Sequence, residues 1–371
     1  MNGGSLLGSA IEVTGGTCTV SSGTVMIDRF MFTSGSGTLN LNGGSITSGG
    51  ALTDSFPVLR GDMNINAGAT WNVTNPNDGS NPAVGGLRSL ANNGSIVLSG
   101  SLDTTSFDTT GWINQTISGT GSLTKQGTGG YVINGTSAYT GPTNIEAGKF
   151  YVQAQLGNTA VAVSAGAFLG GGSGTTTYVG VTPGTILGSV AVASSGTISP
   201  GVFDDGYGGG YFIGPIAALT VGSLSLSNGS HTVLDITGTM PFAAEYDQLV
   251  GTGAGGLTYG GSLDLLLTGS YATGTTWNLF SNFLTKNGDF ADVNLNATGE
   301  YAGLTFTSFG GVWTSTKTAN NQYLEFTPST GDLVVVPEPS TIAMTLAGLA
   351  CGGWQMVRRR RQLRQAASLS A

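Results

Sequence analysis

Apolar and polar side chains alternate in short runs along most of this chain, and the runs begin or end at glycine. One recurring pattern is Gly, then Ser or Thr, then Leu or Ile, and it occurs at 37–41, 94–98, 121–123, 222–226 and 261–265. A second pattern places apolar residues on both sides of a small-residue turn, at 65–69, 145–149 and 163–167. Each run has the two-residue period of a β-strand with one apolar and one polar face.

The body of the chain is predicted to be all-β, because no segment before residue 340 keeps a helical period for more than about two turns. Strands of about four to six residues cannot bury a core alone, but in stacked coils each strand buries its apolar face against the next coil. The irregular spacing argues against a propeller, whose blades repeat at about 40–50 residues. The predicted fold is a right-handed parallel β-helix, and a pile of β-sandwiches is the alternative.

The segment 301–336 is richer in aromatic residues and alternates cleanly. It is predicted to form strands that cap the last coil, because an exposed end coil needs a cover. Asp332 and the prolines Pro337 and Pro339 then predict a short linker to the residues that follow.

Composition supports the β-helix prediction and excludes two other classes. Glycine accounts for 64 of the 371 residues without a Gly-X-Y period, which excludes collagen. Charged residues make up only 9%, but hydrophobic residues reach 39%, which argues against intrinsic disorder. The two cysteines, Cys18 and Cys351, are not expected to form a disulfide, because Cys351 lies in an apolar run near the C-terminus.

The formal net charge of −8 hides an uneven distribution. Residues 1–336 hold 7 of the 12 basic and 19 of the 20 acidic side chains, a net charge of −12. Such a body would repel nucleic acid and anionic lipid, so no nucleic-acid partner is predicted.

Residues 117–152 carry the most specific repeat. The stretch resembles the autotransporter-associated β-strand repeat, although Tyr131 and Val132 stand where Thr and Leu are usual. The positions that match are Gly121, Leu123, Lys125, Gly127, Gly129, Ile133, Gly135, Tyr139, Gly141, Thr143, Ile145 and Gly148. The resemblance implies a β-helical passenger-like body and leaves the secretion route open.

The C-terminus combines three features in a fixed order. Pro337-Glu338-Pro339 comes first, then the uncharged run 340–357, then Arg358, Arg359, Arg360 and Arg361. As a helix the run would span about 27 Å, enough to cross a bilayer, and the arginines would stay on the cytoplasmic side. The arrangement resembles the PEP-CTERM sorting signal of exported bacterial proteins. That resemblance implies one C-terminal transmembrane helix and an exosortase-type membrane enzyme that removes the tail.

These patterns divide the chain into five parts. They are N-terminal solenoid coils (1–110), the autotransporter-like repeat (111–152), further coils (153–300), capping strands with a linker (301–336) and the sorting signal (337–361). The first ten residues lack the basic and apolar regions of a signal peptide, so the chain is expected to open inside a repeat.

Catalytic chemistry has few candidates in this sequence. The only histidine, His231, could form a Ser-His-Asp site with Asp235, but no Gly-x-Ser-x-Gly elbow accompanies it, and a surface strand residue near a turn is the simpler interpretation. Asp204 and Asp205 form the only adjacent acidic pair, in a glycine-rich segment typical of a solvated loop. No catalytic residue, cofactor site or metal site is predicted.

The predicted function is that of an exported cell-surface or matrix protein with a structural or adhesive role. Its polar β-faces would contact extracellular polysaccharide or other surface proteins. A carbohydrate-active enzyme on the same scaffold is the alternative; converging carboxylates in a groove would favour it, and faces lined by Thr, Ser and Asn would favour the structural role. Four aromatic residues are candidates for sugar stacking or, alternatively, for packing between coils: Trp71, Trp112, Tyr139 and Tyr151.

Overall fold

A computed structural model describes most of the body of the chain. The described residues are 2–13, 15–32, 37–48, 61–74, 89–99, 110–113, 116–133, 135–171, 184–201, 216–239 and 245–338. Their regular structure is β-strand, apart from one 3₁₀ turn at Gly299–Tyr301. The prediction of an all-β body is therefore confirmed for these residues.

Three parallel sheets form the stacked coils, with strands numbered in chain order. The long sheet contains β1 (Asn2–Val13), β3 (Ser22–Phe32), β5 (Gly44–Ser48), β7 (Ala69–Val73), β9 (Ser95–Leu98), β12 (Ser122–Lys125), β14 (Thr143–Ile145), β16 (Gln155–Leu156), β17 (Val161–Val163), β19 (Gly184–Val192), β21 (Ala218–Leu226), β23 (Gln248–Gly251), β24 (Leu257–Tyr259), β27 (Phe280–Ser281) and β28 (Lys286–Gly288). The first side sheet contains β2 (Thr17–Val20), β4 (Thr38–Leu41), β6 (Asp62–Ile65), β8 (Ser89–Asn92) and β11 (Ile117–Ser118). The second side sheet contains β10 (Thr110–Ile113), β13 (Gly130–Ile133), β15 (Lys149–Val152), β18 (Phe168–Gly171), β20 (Thr197–Pro200), β22 (His231–Ile236), β25 (Ser262–Leu267) and β29 (Asp292–Ala297).

Consecutive coils pair in register, so one inward position can be followed along the long sheet. That column is Val25, Ile46, Trp71, Ile96, Leu123, Thr143, Val161, Val190, Leu224 and Leu257. Every member is buried, and every member except Thr143 is apolar. The parallel, in-register stacking is that of a β-helix-like fold, as the alternating pattern predicted.

The coil at residues 110–133 joins two kinds of coil. Coils before it contribute strands to the long sheet and to the first side sheet. Coils after it contribute strands to the long sheet and to the second side sheet. Strand β11, which ends the first side sheet, and β13 of the second lie on either side of β12 in this coil. The segment that resembles an autotransporter repeat thus contains the change from one side sheet to the other.

The recurring glycine before each Ser or Thr has a steric cause. A β-carbon on Gly121 would lie 2.4 Å from the carbonyl oxygen of Gly94, in the preceding coil. One on Gly261 would lie 2.0 Å from the carbonyl oxygen of Ser230. Real β-carbons do not approach oxygen so closely, so coils can stack at these turns only when the residue has no side chain.

The end of the stack is covered by an antiparallel cap sheet. It contains β26 (Thr276–Asn278), β30 (Phe306–Phe309), β31 (Val312–Ser315), β32 (Gln322–Thr327) and β33 (Asp332–Pro337). Phe326 of the cap packs with Phe280 and Phe290, at centroid distances of 6.0 Å in both cases. Tyr259 joins this cluster at 5.2 Å from Phe280 and donates a hydrogen bond of 2.9 Å to the Pro328 carbonyl.

The expectation of a linker beginning at Asp332 is wrong. Residues Asp332–Pro337 form β33, which lies between β26 and β32 in the cap sheet. The alternation of Leu333 and Val335, both fully buried, with Val334 and Val336 explains this strand. Proline is disfavoured inside a strand, so Pro337 indicated a linker. In the structure Pro337 is the last residue of β33, where a proline is tolerated.

Several sequence predictions fall outside the described residues. They concern the apolar run 340–357, Pro339, Arg358, Arg359, Arg360 and Arg361. The acidic pair Asp204 and Asp205 and the side chain of Trp112 are also outside the description. Within the described ranges, no helix has the length and apolar character needed to cross a membrane.

Two neighbouring leucines of β25 test the inward and outward alternation directly. Leu265 is fully buried, whereas Leu266 is 36% exposed on the outer face. We expect Leu265→Ala to lower the free energy of unfolding by about 2–5 kcal/mol, because it leaves a cavity in the coil interior. We expect Leu266→Ala to change it by no more than about 0.5 kcal/mol. Urea unfolding of both variants measures the difference, and equal losses would contradict the assigned alternation.

Candidate functional surface

The outer face of the long sheet carries a ladder of hydroxyl groups. One column contains Thr24, Ser45, Thr70, Ser95 and Ser122, each paired in register with the next. All five are exposed or half-buried. The Ser122 hydroxyl donates to the Ser95 hydroxyl at 3.2 Å. Because neighbouring strands lie about 4.8 Å apart, the column presents a regularly spaced row of hydroxyls.

A second outer column runs beside the first. It contains Thr47, Asn72, Val97, Thr124 and Asn144, again in register. Val97 is apolar and Thr124 is buried, so Thr47, Asn72 and Asn144 are its half-buried polar members. The Asn72 amide donates to the Thr47 hydroxyl at 3.4 Å. None of the ten residues in the two columns is charged. We call the five residues of the first column, together with Thr47, Asn72 and Asn144, the hydroxyl–amide face.

Amide ladders continue the polar surface onto the first side sheet. The Asn64 side-chain amide donates to the Asn40 side-chain oxygen at 2.8 Å, and Asn66 donates to Asn42 in the same way at 2.7 Å. These bonds join side chains of consecutive coils. They order the polar groups of the surface without using charges.

Three of the four aromatic candidates are unsuited to stacking on a sugar. Trp71, Tyr139 and Tyr151 have exposed fractions of 1%, 0% and 5%. The Trp71 indole lies in the interior column and donates a hydrogen bond of 2.9 Å to the Ser48 hydroxyl. Packing between coils is therefore their role, the second of the two interpretations that the sequence allowed.

His231 does not pair with Asp235. Asp235 lies four residues further along the same extended strand, about 13 Å away. The Nδ1 atom of His231 instead lies 3.3 Å from Asp264 Oδ2 and 3.0 Å from Ser262 Oγ, both on the next coil. A catalytic triad needs the serine on one ring nitrogen and the carboxylate on the other, and here both groups meet the same nitrogen. The histidine side chain is exposed, as expected of a surface strand residue.

A buried carboxylate, Asp247, was not found by sequence reasoning. Its two oxygens accept hydrogen bonds from the backbone N–H of Ala217 at 2.8 Å and of Asp235 at 3.0 Å. Burial raises the pKa of Asp247 well above its usual value, and burial also raises the pKa of Asp235. Because Asp247 is fully buried and both of its oxygens are used, its carboxylate connects coils and is closed to a substrate.

Lys125, a position of the autotransporter-like repeat, occupies an interior site. It pairs in register with Leu98 on one side and Ile145 on the other, and it is 1% exposed. Its ammonium group donates to the carbonyl oxygens of Gln126, Gly127 and Ala147, at 2.6, 2.7 and 3.1 Å. Burial lowers the pKa of Lys125 to about 8. From the interior, the lysine thus satisfies backbone carbonyl oxygens in the turns of two consecutive coils.

A chain of buried hydroxyls begins in the same repeat and ends at Thr159, seven residues after it. The Thr159 hydroxyl donates to the Gly141 carbonyl at 2.6 Å, so its oxygen accepts from Thr143 at 2.8 Å. Thr143 in turn accepts from the Tyr139 hydroxyl at 2.6 Å. Each donor has one defined acceptor, which explains how a threonine can replace an aliphatic residue in the interior column.

Two residues of the predicted sorting motif lie in the described chain. Pro337 ends strand β33, and Glu338 follows it with its backbone N–H bonded to the Asn321 carbonyl at 2.9 Å. The Glu338 carboxylate forms an ion pair with Lys317. In the parts of the chain that are described, no group of three or more His, Cys, Asp or Glu side chains is placed to hold a metal ion.

Comparison with known proteins gives one partial similarity. No family model matches the chain. Over 90 residues it is 37% identical to the adhesin BmaC autotransporter of Brucella suis biovar 1 (strain 1330). The match covers 24% of this chain and only 2% of that adhesin's length. This partial similarity points to an autotransporter-like repeat, and together with the parallel β-fold it is compatible with an adhesive surface protein.

The buried lysine predicts an unusual dependence of stability on pH. The pKa of Lys125 is about 8 in the folded chain and about 10.5 in the unfolded chain. Between these values the unfolded chain binds more protons, so the free energy of unfolding rises with pH. We expect it to rise by about 3 kcal/mol from pH 7.5 to 10.5 relative to the Lys125→Met variant. Urea unfolding of both proteins at several pH values measures this difference; parallel pH profiles would contradict a buried, desolvated ammonium group.

Proposed function

We propose that this chain is an exported bacterial cell-surface or extracellular-matrix protein with a structural or adhesive role, and not an enzyme. The parallel stacked coils and the partial similarity to an autotransporter adhesin support the surface class. The observation that carries the adhesive role is the hydroxyl–amide face, a regular and uncharged row of side chains across at least five strands. It has the composition that favours a structural role over a carbohydrate-active enzyme.

The proposed ligand of this face is a neutral extracellular polysaccharide, with other surface proteins as the alternative partner. Hydroxyl and amide groups can exchange hydrogen bonds with sugar hydroxyls, each worth about 0.5–1.5 kcal/mol net. Such weak contacts give useful affinity only when many act together, which a repeating face and a repeating polymer provide. The acidic body, with 19 acidic side chains in residues 1–336, would repel an acidic polysaccharide.

The proposed sorting route uses the C-terminal residues. The motif Pro337-Glu338-Pro339, the uncharged run and the four arginines Arg358–Arg361 follow one another as in a PEP-CTERM signal. In this proposal the run crosses the membrane, the arginines stay in the cytoplasm, and an exosortase-type enzyme removes the tail. The order and length of the three features support it.

Charges placed in the hydroxyl–amide face test the proposed binding. The double variant Thr70→Glu and Ser95→Glu alters two adjacent outer positions. We expect at least about a tenfold loss of affinity for a neutral glucan, since two or more hydrogen bonds of about 1 kcal/mol are lost. The measurement is retention of the full chain on an insoluble neutral glucan, compared with an acidic uronan.

The matched control places the same charges on another face. Leu266 and Asn296 are adjacent, exposed residues of the second side sheet. The double variant Leu266→Glu and Asn296→Glu should bind the glucan as the wild type does. Wild-type protein that fails to bind the glucan, or equal losses in the two double variants, would contradict the proposed face.

A further inference from the structure

Three consecutive coils pass from the long sheet to the second side sheet through the same turn of four residues, at 164–167, 193–196 and 227–230. In each turn the backbone N–H of the last residue donates to the carbonyl of the first, at 3.1, 2.9 and 3.0 Å. The third residue has a positive φ in all three: Gly166 at 74°, Ser195 at 61° and Gly229 at 81°. The three turns therefore share one backbone conformation.

The third residues of these turns form a column of backbone hydrogen bonds that ends at Gly229. The Gly166 N–H donates to the Ser195 carbonyl at 2.8 Å, and the Ser195 N–H donates to the Gly229 carbonyl at 2.7 Å. In the next coil only Gly260 and Gly261 separate β24 from β25, so no residue is placed to continue the column. Within the described residues, the Gly229 N–H therefore has no acceptor.

Asn228 lies immediately before this unpaired N–H, on the exposed part of the turn. Its side-chain amide makes no hydrogen bond in the part of the chain that the structure describes. An asparagine side chain can reach the nitrogen of the next residue, and glycine obstructs that approach least because it has no side chain. Neither the side chain of Asn228 nor the nitrogen of Gly229 has a contact to break before the two meet.

We infer that Asn228 is a site of spontaneous deamidation, at which the folded chain converts to a mixture of aspartate and isoaspartate. The observation that carries the inference is the pairing of an unbonded side-chain amide with an unbonded backbone N–H in one exposed turn. The inference does not depend on the proposed adhesive role.

The reaction needs water and no other reactant. The Gly229 nitrogen bonds to the side-chain carbonyl carbon of Asn228, the carbon–nitrogen bond of the side-chain amide breaks, and the leaving group departs as ammonia with the Gly229 proton. Water then opens the cyclic imide: its hydroxyl bonds to one of the two carbonyl carbons, and its remaining proton returns to the Gly229 nitrogen. Opening at the side-chain carbon gives aspartate, and opening at the backbone carbon gives isoaspartate.

The pair Asn93-Gly94 has the same sequence but is held by contacts. The Asn93 side-chain oxygen accepts hydrogen bonds from the backbone N–H and the hydroxyl of Thr120, at 3.1 and 3.3 Å. The Gly94 N–H donates to the side-chain oxygen of Asn92 at 3.2 Å. Both reacting groups are therefore engaged with other partners, and Asn93 serves as the internal control.

Two further Asn-Gly pairs are also restrained. The side-chain oxygen of Asn42 accepts a hydrogen bond of 2.7 Å from Asn66 in the next coil. Asn287 lies within β28, in register with Thr258 of β24. Closing the imide ring there would rotate the backbone out of the strand pairing. The sequence alone does not separate these pairs from Asn228-Gly229, whereas their contacts do.

Isoaspartate would alter the stacking of two coils. It continues the backbone through the former side-chain carbon, which adds one methylene to the turn before Gly229. The Gly229 carbonyl accepts the hydrogen bond from Ser195 of the preceding coil. A longer turn displaces this carbonyl, so the Ser195 N–H loses its acceptor.

Peptide mapping by mass spectrometry tests the site. The purified full-length chain is incubated at mildly alkaline pH, folded and in urea. We expect position 228 to convert at least about tenfold faster than position 93 in the folded chain, because the reaction at Asn93 must first break hydrogen bonds. In urea the two positions should convert at similar rates. Equal rates in the folded chain, or the same preference in urea, would overturn the inference.

Hydrogen exchange at the Ser195 amide tests the consequence. We expect exchange to be about two- to tenfold faster in the isoaspartate form than in fresh protein, as loss of one hydrogen bond predicts. The Asn228→Gln variant, whose longer side chain closes the ring far less readily, should not change on incubation. Fresh Asn228→Asp adds the charge without the methylene and should exchange as fresh wild type does. Unchanged exchange in the isoaspartate form, or equally fast exchange in fresh Asn228→Asp, would overturn the assigned effect of the longer turn.

Discussion

The apolar face of each short strand is buried inside the stack of coils, where the long sheet and the side sheets share one core. The need to bury these faces determines how the coils stack, and the stacking determines both the interior column and the outer surface. Pairing in register places Val25, Ile46, Trp71 and Ile96 in one interior column, and the same pairing aligns Thr24, Ser45, Thr70 and Ser95 outside. A regular outer surface is therefore a direct consequence of a regular interior. Glycines such as Gly121 are needed because the turns of neighbouring coils approach too closely for a side chain.

Several polar groups enter the interior close to the coil where the stack changes its side sheet. Lys125 and the start of the hydroxyl chain, Tyr139 and Thr143, lie in the repeat that contains the change of side sheet, and Thr159 follows it directly. There, side chains satisfy backbone carbonyls that have no strand partner, as a buried acceptor requires. Further along the chain, the Asp247 carboxylate accepts hydrogen bonds from two backbone N–H groups. Lys125 and Asp247, two buried ionisable side chains of the described residues, both connect neighbouring parts of the stack.

The sequence predicted what depends on local pattern and missed what depends on coil geometry. The two-residue alternation around Gly121 and Gly261 predicted the strands, and the aromatic residues of 301–336 predicted a cap. The side sheet to which each coil contributes could not be predicted, because it depends on pairing between coils and not on the alternation within one strand. Lys125 was recognised as a motif position, but its burial was not, since a lysine on an alternating strand is expected to face water. Asp332 was read as a linker because Pro337 and Pro339 follow it closely.

The interior column and the outer surface both depend on the stacking of coils in register, and a distance across several coils tests that stacking most directly. Thr24 and Ser122 face outward on strands β3 and β12, which lie four strand positions apart in the long sheet. Spin labels at these two positions, in a chain whose native cysteines are replaced by serine, report that separation by pulsed electron resonance. Stacked parallel coils predict one narrow distribution centred at about 19 Å between the strands, broadened only by the label arms. A broad distribution, or a mean separation beyond about 40 Å, would show that the coils do not stack in this order.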